Sequence, residues 1–98
     1  MYSVKPTKQF KKDLKLIQKR GYDIQKMTDV IKKLAAGETL PESNRDHSLS
    51  GNFSGCRECH IEPDWLLIYE IAQESLILYL TKNRNAFGLV QEVKSPIN

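Results

Sequence analysis

Hydrophobic residues in the first third of the chain recur at the spacing of two amphipathic helices. The first apolar stripe consists of Phe10, Leu14 and Ile17, with lysines between them. The second consists of Ile24, Met27, Ile31 and Leu34. Thr7 and Asp23 stand where side chains cap helix N-termini, and a glycine follows each stripe where a helix can end. Because the connection between the stripes is short, we predict an antiparallel helix hairpin that needs a surface to cover.

Strand-like patterning dominates the second half of the chain. We predict three strands, at residues 56–62, 65–71 and 75–81, joined by tight turns into an antiparallel meander. Residues 38–55 are expected to form a loop. Along the middle strand, alternation separates two sets of side chains, which are Trp65, Leu67, Tyr69 and Ile71 on one face and Leu66, Ile68 and Glu70 on the other.

These elements predict an α+β fold. With Tyr2-Ser3-Val4 as a short first strand, the order is β-α-α-β-β-β, and an antiparallel sheet packs against the two-helix hairpin. The chain of 98 residues is long enough for one core, so we expect a single domain over residues 1–90. Residues 91–98 lack apolar periodicity and are expected to form an atypical, mobile C-terminal tail.

Charge is distributed unevenly along the chain. The net charge is +3, but residues 1–33 carry ten basic and three acidic residues, a balance of +7, whereas residues 34–98 carry five basic and nine acidic residues, a balance of −4. A lysine-rich helix is most often a solvated face, yet it also suits a salt-sensitive contact with phosphates or with an acidic protein. The candidate contact residues on the first helix are Lys8, Lys11, Lys12 and Lys15.

The expected compartment follows from the absence of targeting signals. No segment approaches the roughly 18 apolar residues of a membrane span, and the N-terminus lacks the apolar core of a signal peptide. We therefore expect a cytoplasmic protein without a membrane partner, in which the two cysteines stay reduced.

The chemistry-bearing residues are concentrated between residues 46 and 65. This window holds both histidines, His47 and His60, together with Arg57 and Asp64. Imidazoles that titrate near neutrality, a carboxylate and a fixed positive charge suit general acid–base chemistry on a phosphodiester. On the first strand of the meander, His60 shares a face with Glu58 and Glu62, while Arg57 lies on the other face.

The same window contains a string that suggests other chemistry. Cys56-Arg57-Glu58-Cys59-His60 fits the C-x-x-C-H attachment string of c-type haem. Residues three apart in a strand face opposite sides, so the two cysteines would diverge, and haem attachment also needs export. We favour two small cysteines in a strand over a haem, zinc or redox site.

Longer motifs connect this window to a known family. They are Phe10-Lys11-Lys12-Asp13, Leu40-Pro41, Asp46-His47-x-Leu49-x-Gly51 and Gly55-x-Arg57-Glu58-x-His60-Ile61-x-Pro63-Asp64-Trp65-Leu66-Leu67-Ile68-Tyr69. To about Thr81, the chain resembles the RelE/ParE superfamily of bacterial toxins, and specifically its YafQ-like branch. The resemblance implies a RelE-like fold and the toxin of a type II toxin–antitoxin system, a small ribosome-dependent mRNA endonuclease.

The resemblance also implies a set of site residues. His47, His60 and Asp64 match catalytic positions, and the implied cleavage uses neither a metal nor a cofactor. The base is Asp64 or a histidine, and a protonated histidine serves the leaving oxygen; the sequence does not assign these two roles. The predicted residues for phosphate or RNA binding are Arg57, Lys82 and Arg84.

One family position is not matched. The family's fourth catalytic residue, a histidine in an Arg-Thr-Gly-Thr/Ser-His motif after the last strand, falls at Asn85. Because an amide does not transfer protons near neutral pH, we expect the altered C-terminus to reduce cleavage. The alternative is a catalytically impaired protein of the toxin fold that acts as an antitoxin-binding regulatory module.

A change of reading frame would explain the unmatched tail. Residues 82–94 can be encoded so that removal of one A from the initial run of A gives Lys-Thr-Gly-Thr-His-Ser-Gly-Trp-Phe-Lys-Lys-stop. This frame restores the family motif, its histidine and the phenylalanine beyond it. We hypothesise that the tail arose by such a frameshift, and codons incompatible with the alternate frame would refute this.

The resemblance implies several partners. They are a cognate antitoxin encoded beside the toxin, the ribosomal A site with its mRNA, and operator DNA bound by the toxin–antitoxin complex. The basic N-terminal third predicts that the antitoxin is acidic and partly disordered when free. The gyrase-directed ParE-like branch is a rival, but it lacks the set formed by His47, His60 and Asp64.

Overall fold

Two helices and five strands make up the part of the chain that the computed structural model describes, residues 1–83. The elements are β1 (Ser3–Pro6), α1 (Lys8–Lys19), α2 (Ile24–Ala35), β2 (His47–Ser48), β3 (Arg57–Glu62), β4 (Trp65–Ala72) and β5 (Ser75–Asn83), with short 3₁₀ turns at Glu42–Asn44 and Gly51–Phe53. The predicted domain limit at residue 90 and the predicted mobile tail at 91–98 lie outside these residues.

The predicted helix ends are confirmed. The Thr7 hydroxyl accepts a hydrogen bond from the backbone N–H of Phe10 at 3.1 Å, and the Asp23 carboxylate caps α2 in the same manner. Gly21, with φ of 80°, follows the end of α1. This left-handed conformation is one that glycine adopts without steric cost, which explains the sharp entry into α2.

The strands form one sheet in the order β1-β5-β4-β3-β2. The meander of β3, β4 and β5 is antiparallel, and the α+β prediction is confirmed. The prediction of a wholly antiparallel sheet was wrong, because β1 pairs in parallel with β5, placing Val4 opposite Leu76. The helix hairpin returns the chain to its start, where the Tyr2 N–H donates to the Ala35 carbonyl at 2.7 Å, and β1 thus joins the far edge of the meander.

A fifth strand lies within the segment predicted to be loop. β2 is two residues long, too short to show alternation, and it pairs antiparallel with β3, with His47 opposite Glu58. The strand is shorter than the repeat that alternation needs, so local sequence pattern does not reveal it.

The core lies between the helices and one face of the sheet. Phe10, Ile17, Met27 and Leu34 pack from the helices onto strand residues Cys59, Trp65, Leu67, Tyr69, Leu76 and Leu78. Tyr22 meets the Trp65 ring edge-on at 5.0 Å between centroids. In the described part of the chain, neither helix is long and apolar enough to cross a membrane.

Helix α1 covers an edge of β5 that β1 leaves open. Beyond Pro6, the Thr7 N–H and hydroxyl donate to the carbonyls of Leu78 and Tyr79, at 2.9 and 2.7 Å. The buried Asp13 carboxylate then accepts from the Thr81 N–H at 3.1 Å. These bonds satisfy backbone groups that would otherwise be buried without partners.

Thr81 extends this contact across the sheet. Its hydroxyl accepts from the Trp65 indole N–H at 2.8 Å and donates to the Leu66 carbonyl at 2.9 Å. Asp13 also accepts from the Gln9 amide at 2.7 Å. The network therefore fixes α1, β4 and β5 relative to one another.

The buried network yields a test of stability. Asp13→Ala leaves the Thr81 N–H unpaired and should lower the free energy of unfolding by about 1–3 kcal/mol. Asp13→Asn keeps an acceptor for Thr81, and the Gln9 amide can rotate to accept from the new N–H. This variant should be at least as stable as the parent at neutral pH, because burial raises the pKa of Asp13 and ionisation there opposes folding.

The same variants predict a pH dependence. The folded-state pKa of Asp13 lies above its ordinary value, so the parent loses stability as pH rises from the ordinary to the raised value. The advantage of Asp13→Asn over the parent should grow across that interval and then stay constant. Urea unfolding at several pH values measures the difference in free energy of unfolding between Asp13→Asn and the parent. A difference that shrinks with rising pH would contradict a raised pKa for Asp13.

Candidate active site

Both histidines lie on the sheet face opposite the helices. His47 in β2 is the direct partner of Glu58 in β3, and His60 follows two residues later on the same face. Diagonal neighbours of this kind lie roughly 7–8 Å apart. Asp64 is exposed in the turn that joins β3 to β4, directly after Pro63. The structure therefore places the three predicted catalytic residues at neighbouring positions of one sheet end.

His60 has one ring nitrogen fixed and one available. Its Nδ1 donates to the Pro63 carbonyl at 3.1 Å, and since a carbonyl only accepts, the proton is assigned to Nδ1. The Nε2 atom has no hydrogen-bond partner among residues 1–83. The residue is 8% exposed and borders a cavity of about 350 Å³. His60 is thus oriented to exchange a proton through Nε2.

His47 is bonded on both sides. Its Nδ1 donates to the Arg45 carbonyl at 2.7 Å, and its Nε2 lies 3.2 Å from the Glu58 carboxylate. A doubly protonated imidazole satisfies both acceptors. His47 is therefore held between a backbone carbonyl and a carboxylate, on the same sheet face as His60.

Glu58 belongs to the site although it was not predicted as a site residue. It is 5% exposed, and its second carboxylate oxygen has no partner within the described residues. The available signal was its spacing of two from His60, which places both side chains on one face.

Arg57 lies away from the histidines, on the helix-facing side of β3. Its Nε donates to the Asp46 carboxylate at 3.0 Å, and the Tyr69 hydroxyl donates to the other oxygen of Asp46 at 2.7 Å. Burial, and then the bond to Asp46, raise the pKa of Tyr69. The alternation along β3 explains this separation, and the role of Arg57 in phosphate binding stays a prediction.

Asp46 anchors the strand that carries His47. It bridges Arg57 of β3 and Tyr69 of β4 on the helix side, while the next residue projects to the open side. Beyond β2, the Leu49 N–H donates to the Cys56 carbonyl at 2.9 Å. Side-chain and backbone bonds thus hold β2 against the sheet.

The segment before β2 contributes residues that sequence reasoning missed. The Asn44 amide donates to the His60 backbone carbonyl at 2.7 Å. Ser43 and Arg45 line the cavity beside His60. The adjacency of this segment to Asp46-His47 was the only signal in the sequence, and it did not reveal the contact of Asn44 with a strand residue 16 positions later.

The two cysteines are free and buried. Burial raises the pKa of the Cys59 thiol to about 12 and also raises the pKa of Cys56. Both thiols therefore resist forming the thiolate that metal binding and redox exchange require. Within residues 1–83, no three His, Cys, Asp or Glu side chains are grouped so as to hold a metal ion.

The remaining predicted residues lie on two surfaces or outside the described chain. The four candidate contact residues on α1 are all exposed, and they are Lys8, Lys11, Lys12 and Lys15. On β5, Lys82 is paired with Leu66, which is paired with His60, so one row of the sheet joins these three positions. Arg84 and Asn85 lie outside the described residues.

The chain matches a family of known proteins along most of its length. Residues 2–86 match the family model described as the bacterial toxin of type II toxin–antitoxin system, YafQ. The mRNA interferase toxin YafQ of Escherichia coli (strain K12) is 41% identical over 69 residues, which make up 69% of this chain and 75% of that protein.

Solved structures share the fold. The crystal structure of YafQ from E. coli strain BL21(DE3) superposes with a TM-score of 0.81 at 34% identity, covering 89% of this chain and 98% of that one. The E. coli DinJ–YafQ complex gives a TM-score of 0.80 at 34% identity, covering 88% and 97%.

The fold, the site and these matches define a small bacterial toxin with a RelE-like architecture. The chain belongs to the YafQ family of toxins of type II toxin–antitoxin systems. The resemblance on which the toxin function was expected is thereby confirmed.

The anchoring of β2 can be tested by a double-mutant cycle. Asp46→Asn removes the charge and one of the two acceptor oxygens, and Tyr69→Phe removes the hydroxyl that donates to Asp46. Their effects on the free energy of unfolding should couple by about 0.5–3 kcal/mol. Amide exchange at Leu49 should accelerate in Asp46→Asn while exchange in β4 changes less. Additive effects, or unchanged exchange at Leu49, would show that Asp46 does not anchor β2.

Proposed function

We propose that this toxin is an endoribonuclease that cleaves mRNA by metal-independent acid–base catalysis. The observation that carries the proposal is the geometry of His60, whose Nδ1 is held by the Pro63 carbonyl while Nε2 is left without a partner among the described residues. The relatives named mRNA interferase supply the substrate class. The proposed catalytic residues are His47, His60 and Asp64.

The proposed reaction is attack by the RNA's own 2′-hydroxyl. The Asp64 carboxylate accepts the hydroxyl proton, the 2′-oxygen bonds to the adjacent phosphorus, and the bond from phosphorus to the 5′-oxygen breaks. His60, doubly protonated, donates its Nε2 proton to that leaving oxygen. His47 contributes positive charge near the developing negative charge of the phosphorane. The products are a 2′,3′-cyclic phosphate and a 5′-hydroxyl.

We further propose that cleavage takes place on the ribosome, in the A site. An exposed row of lysines on α1 suits contact with ribosomal RNA phosphates, since such contact needs charge and no sequence recognition. Lys82 shares a sheet row with His60, which supports the proposal that it contacts the message.

The proposed protein partner is an acidic, partly disordered antitoxin. A relative from this family is found in complex with DinJ, which supports a partner of this kind. The charge of +7 in residues 1–33 favours an acidic partner that folds on contact. The toxin–antitoxin complex is proposed to bind operator DNA.

Cleavage chemistry can be tested with a translated message. His60→Asn keeps an N–H donor for the Pro63 carbonyl but cannot transfer a proton, so cleavage should fall by about 10²–10⁴-fold while the circular dichroism spectrum is retained. Fragments should carry 5′-hydroxyl ends. Fragments with 5′-phosphate ends, or full activity in His60→Asn, would exclude the mechanism. A chain carrying the restored-frame tail, tested in parallel, measures the contribution of residues 83–98.

The antitoxin contact can be tested by its salt dependence. A variant with four lysines of α1 replaced by Gln (Lys8, Lys11, Lys12 and Lys15) should bind antitoxin more weakly and with a shallower dependence on salt. The matched control removes the same charge at exposed positions outside this row, with Lys5, Arg20, Lys32 and Lys33 replaced by Gln. Calorimetry at several salt concentrations measures both. Equal salt slopes in all three proteins would place the interface elsewhere, on the apolar sheet face.

A further inference from the structure

The cavity beside His60 has a cationic residue on its wall. The described residues that line its volume of about 350 Å³ are Ser43, Arg45, His60 and Pro63. This volume lies at the lower end of the range of small-ligand pockets, which suits a single nucleotide. The cavity thus combines a proton-transfer group with a fixed positive charge.

Arg45 is held in register with both histidines by its own backbone and by its neighbour. The Arg45 carbonyl accepts from His47 Nδ1, and the preceding Asn44 side chain donates to the His60 carbonyl, both at 2.7 Å. The segment of residues 43–47 therefore moves with the two histidines, and the position of Arg45 relative to them is defined by hydrogen bonds.

The backbone of Arg45 is in the left-handed region, with φ of 49° and ψ of 42°. A residue with a side chain adopts this conformation at a cost in free energy that glycine does not incur. Strained backbone positions of this kind cluster at functional sites, where the strain aims a side chain. The exposed arginine side chain at this position is consistent with such use.

The other arginines in the described chain do not share the cavity. Arg57 is bonded to Asp46 on the opposite sheet face, and Arg20 lies at the end of α1. A phosphate next to His60 would therefore meet Arg45 and not Arg57. A guanidinium can bind two phosphate oxygens at once, a geometry that a single lysine cannot reproduce.

We propose that Arg45 is a catalytic residue that binds the phosphate of an RNA nucleotide seated in the cavity beside His60. The guanidinium holds the two non-bridging oxygens and stabilises their charge while the 2′-oxygen attacks and the 5′-oxygen leaves. This proposal rests on the proposed endoribonuclease function. It transfers to Arg45 the role that the sequence suggested for Arg57.

Cleavage kinetics test the proposal that Arg45 stabilises charge on the phosphate during the reaction. Arg45→Gln keeps the backbone carbonyl for His47 and the same backbone strain, but removes the charge, and should lower kcat by about 10²-fold with a smaller change in KM. Arg45→Lys should recover part of the loss. Arg20→Gln, which changes the net charge equally, should cleave like the parent. Parent-like kcat in Arg45→Gln would overturn the proposal while leaving the proposed endoribonuclease function intact.

Nucleotide binding tests the site separately from cleavage. Adenosine 3′-monophosphate, titrated into the isotope-labelled protein, should shift the NMR signals of residues 43–47 and of the His60 ring in a saturable manner. The shifts should vanish in Arg45→Gln and persist in Arg20→Gln. If the nucleotide binds in this way but no RNA is cleaved, the endoribonuclease proposal fails and the phosphate site stands. The proposed phosphate site is overturned if the nucleotide binds at other residues, if it binds equally well to Arg45→Gln, or if it does not bind.

Discussion

The covering of the open edge of β5 by α1 is the contact on which the rest of the structure depends. β1 ends at Pro6, and the next backbone groups of β5 are bonded by Thr7 and Asp13. Through Thr81 the same network reaches the indole of Trp65, the first residue of β4. Trp65 directly follows Asp64, so the end of the β3–β4 turn is attached to a fully buried ring. The position of the active-site turn is thus set from the core.

Alternation along β3 divides the molecule into a structural side and a chemical side. Arg57 and Cys59 face the helices, where the former joins the Asp46 network and the latter joins the core. Glu58 and His60 face the other way, toward the residues that carry the proposed chemistry. The same division holds at β2, where Asp46, the residue directly before the strand, faces the helices and His47 faces the other side. Successive residues of these segments therefore alternate between contacts that stabilise the fold and positions that carry the proposed chemistry.

Helical periodicity and strand alternation were sufficient to predict the helices, their caps and the meander, because these depend on local pattern. The neighbour of β1 depends on long-range pairing with β5, and β2 is only two residues long, so local pattern encodes neither. For the site, residue types in the window 46–65 pointed to His47, His60 and Asp64, and the family resemblance supplied their catalytic roles. Arg45, Asn44 and Glu58 could not be found in that way, because their roles arise from contacts between β3 and the segment before β2.

The two histidines take their Nδ1 partners from backbone carbonyls, those of Pro63 and Arg45. No amino-acid substitution removes a carbonyl, so point mutations at these two partner positions leave the acceptor that fixes each imidazole in place. The orientation of each imidazole instead depends on the path and length of a short backbone segment, residues 45–47 for His47 and residues 60–63 for His60. During evolution of the family, the orientation of the two imidazoles should therefore tolerate changes of residue type at positions 45 and 63 far better than insertions or deletions around them, whereas the Arg45 side chain has its own proposed role in phosphate binding. Side-chain identity there remains open to selection for other properties.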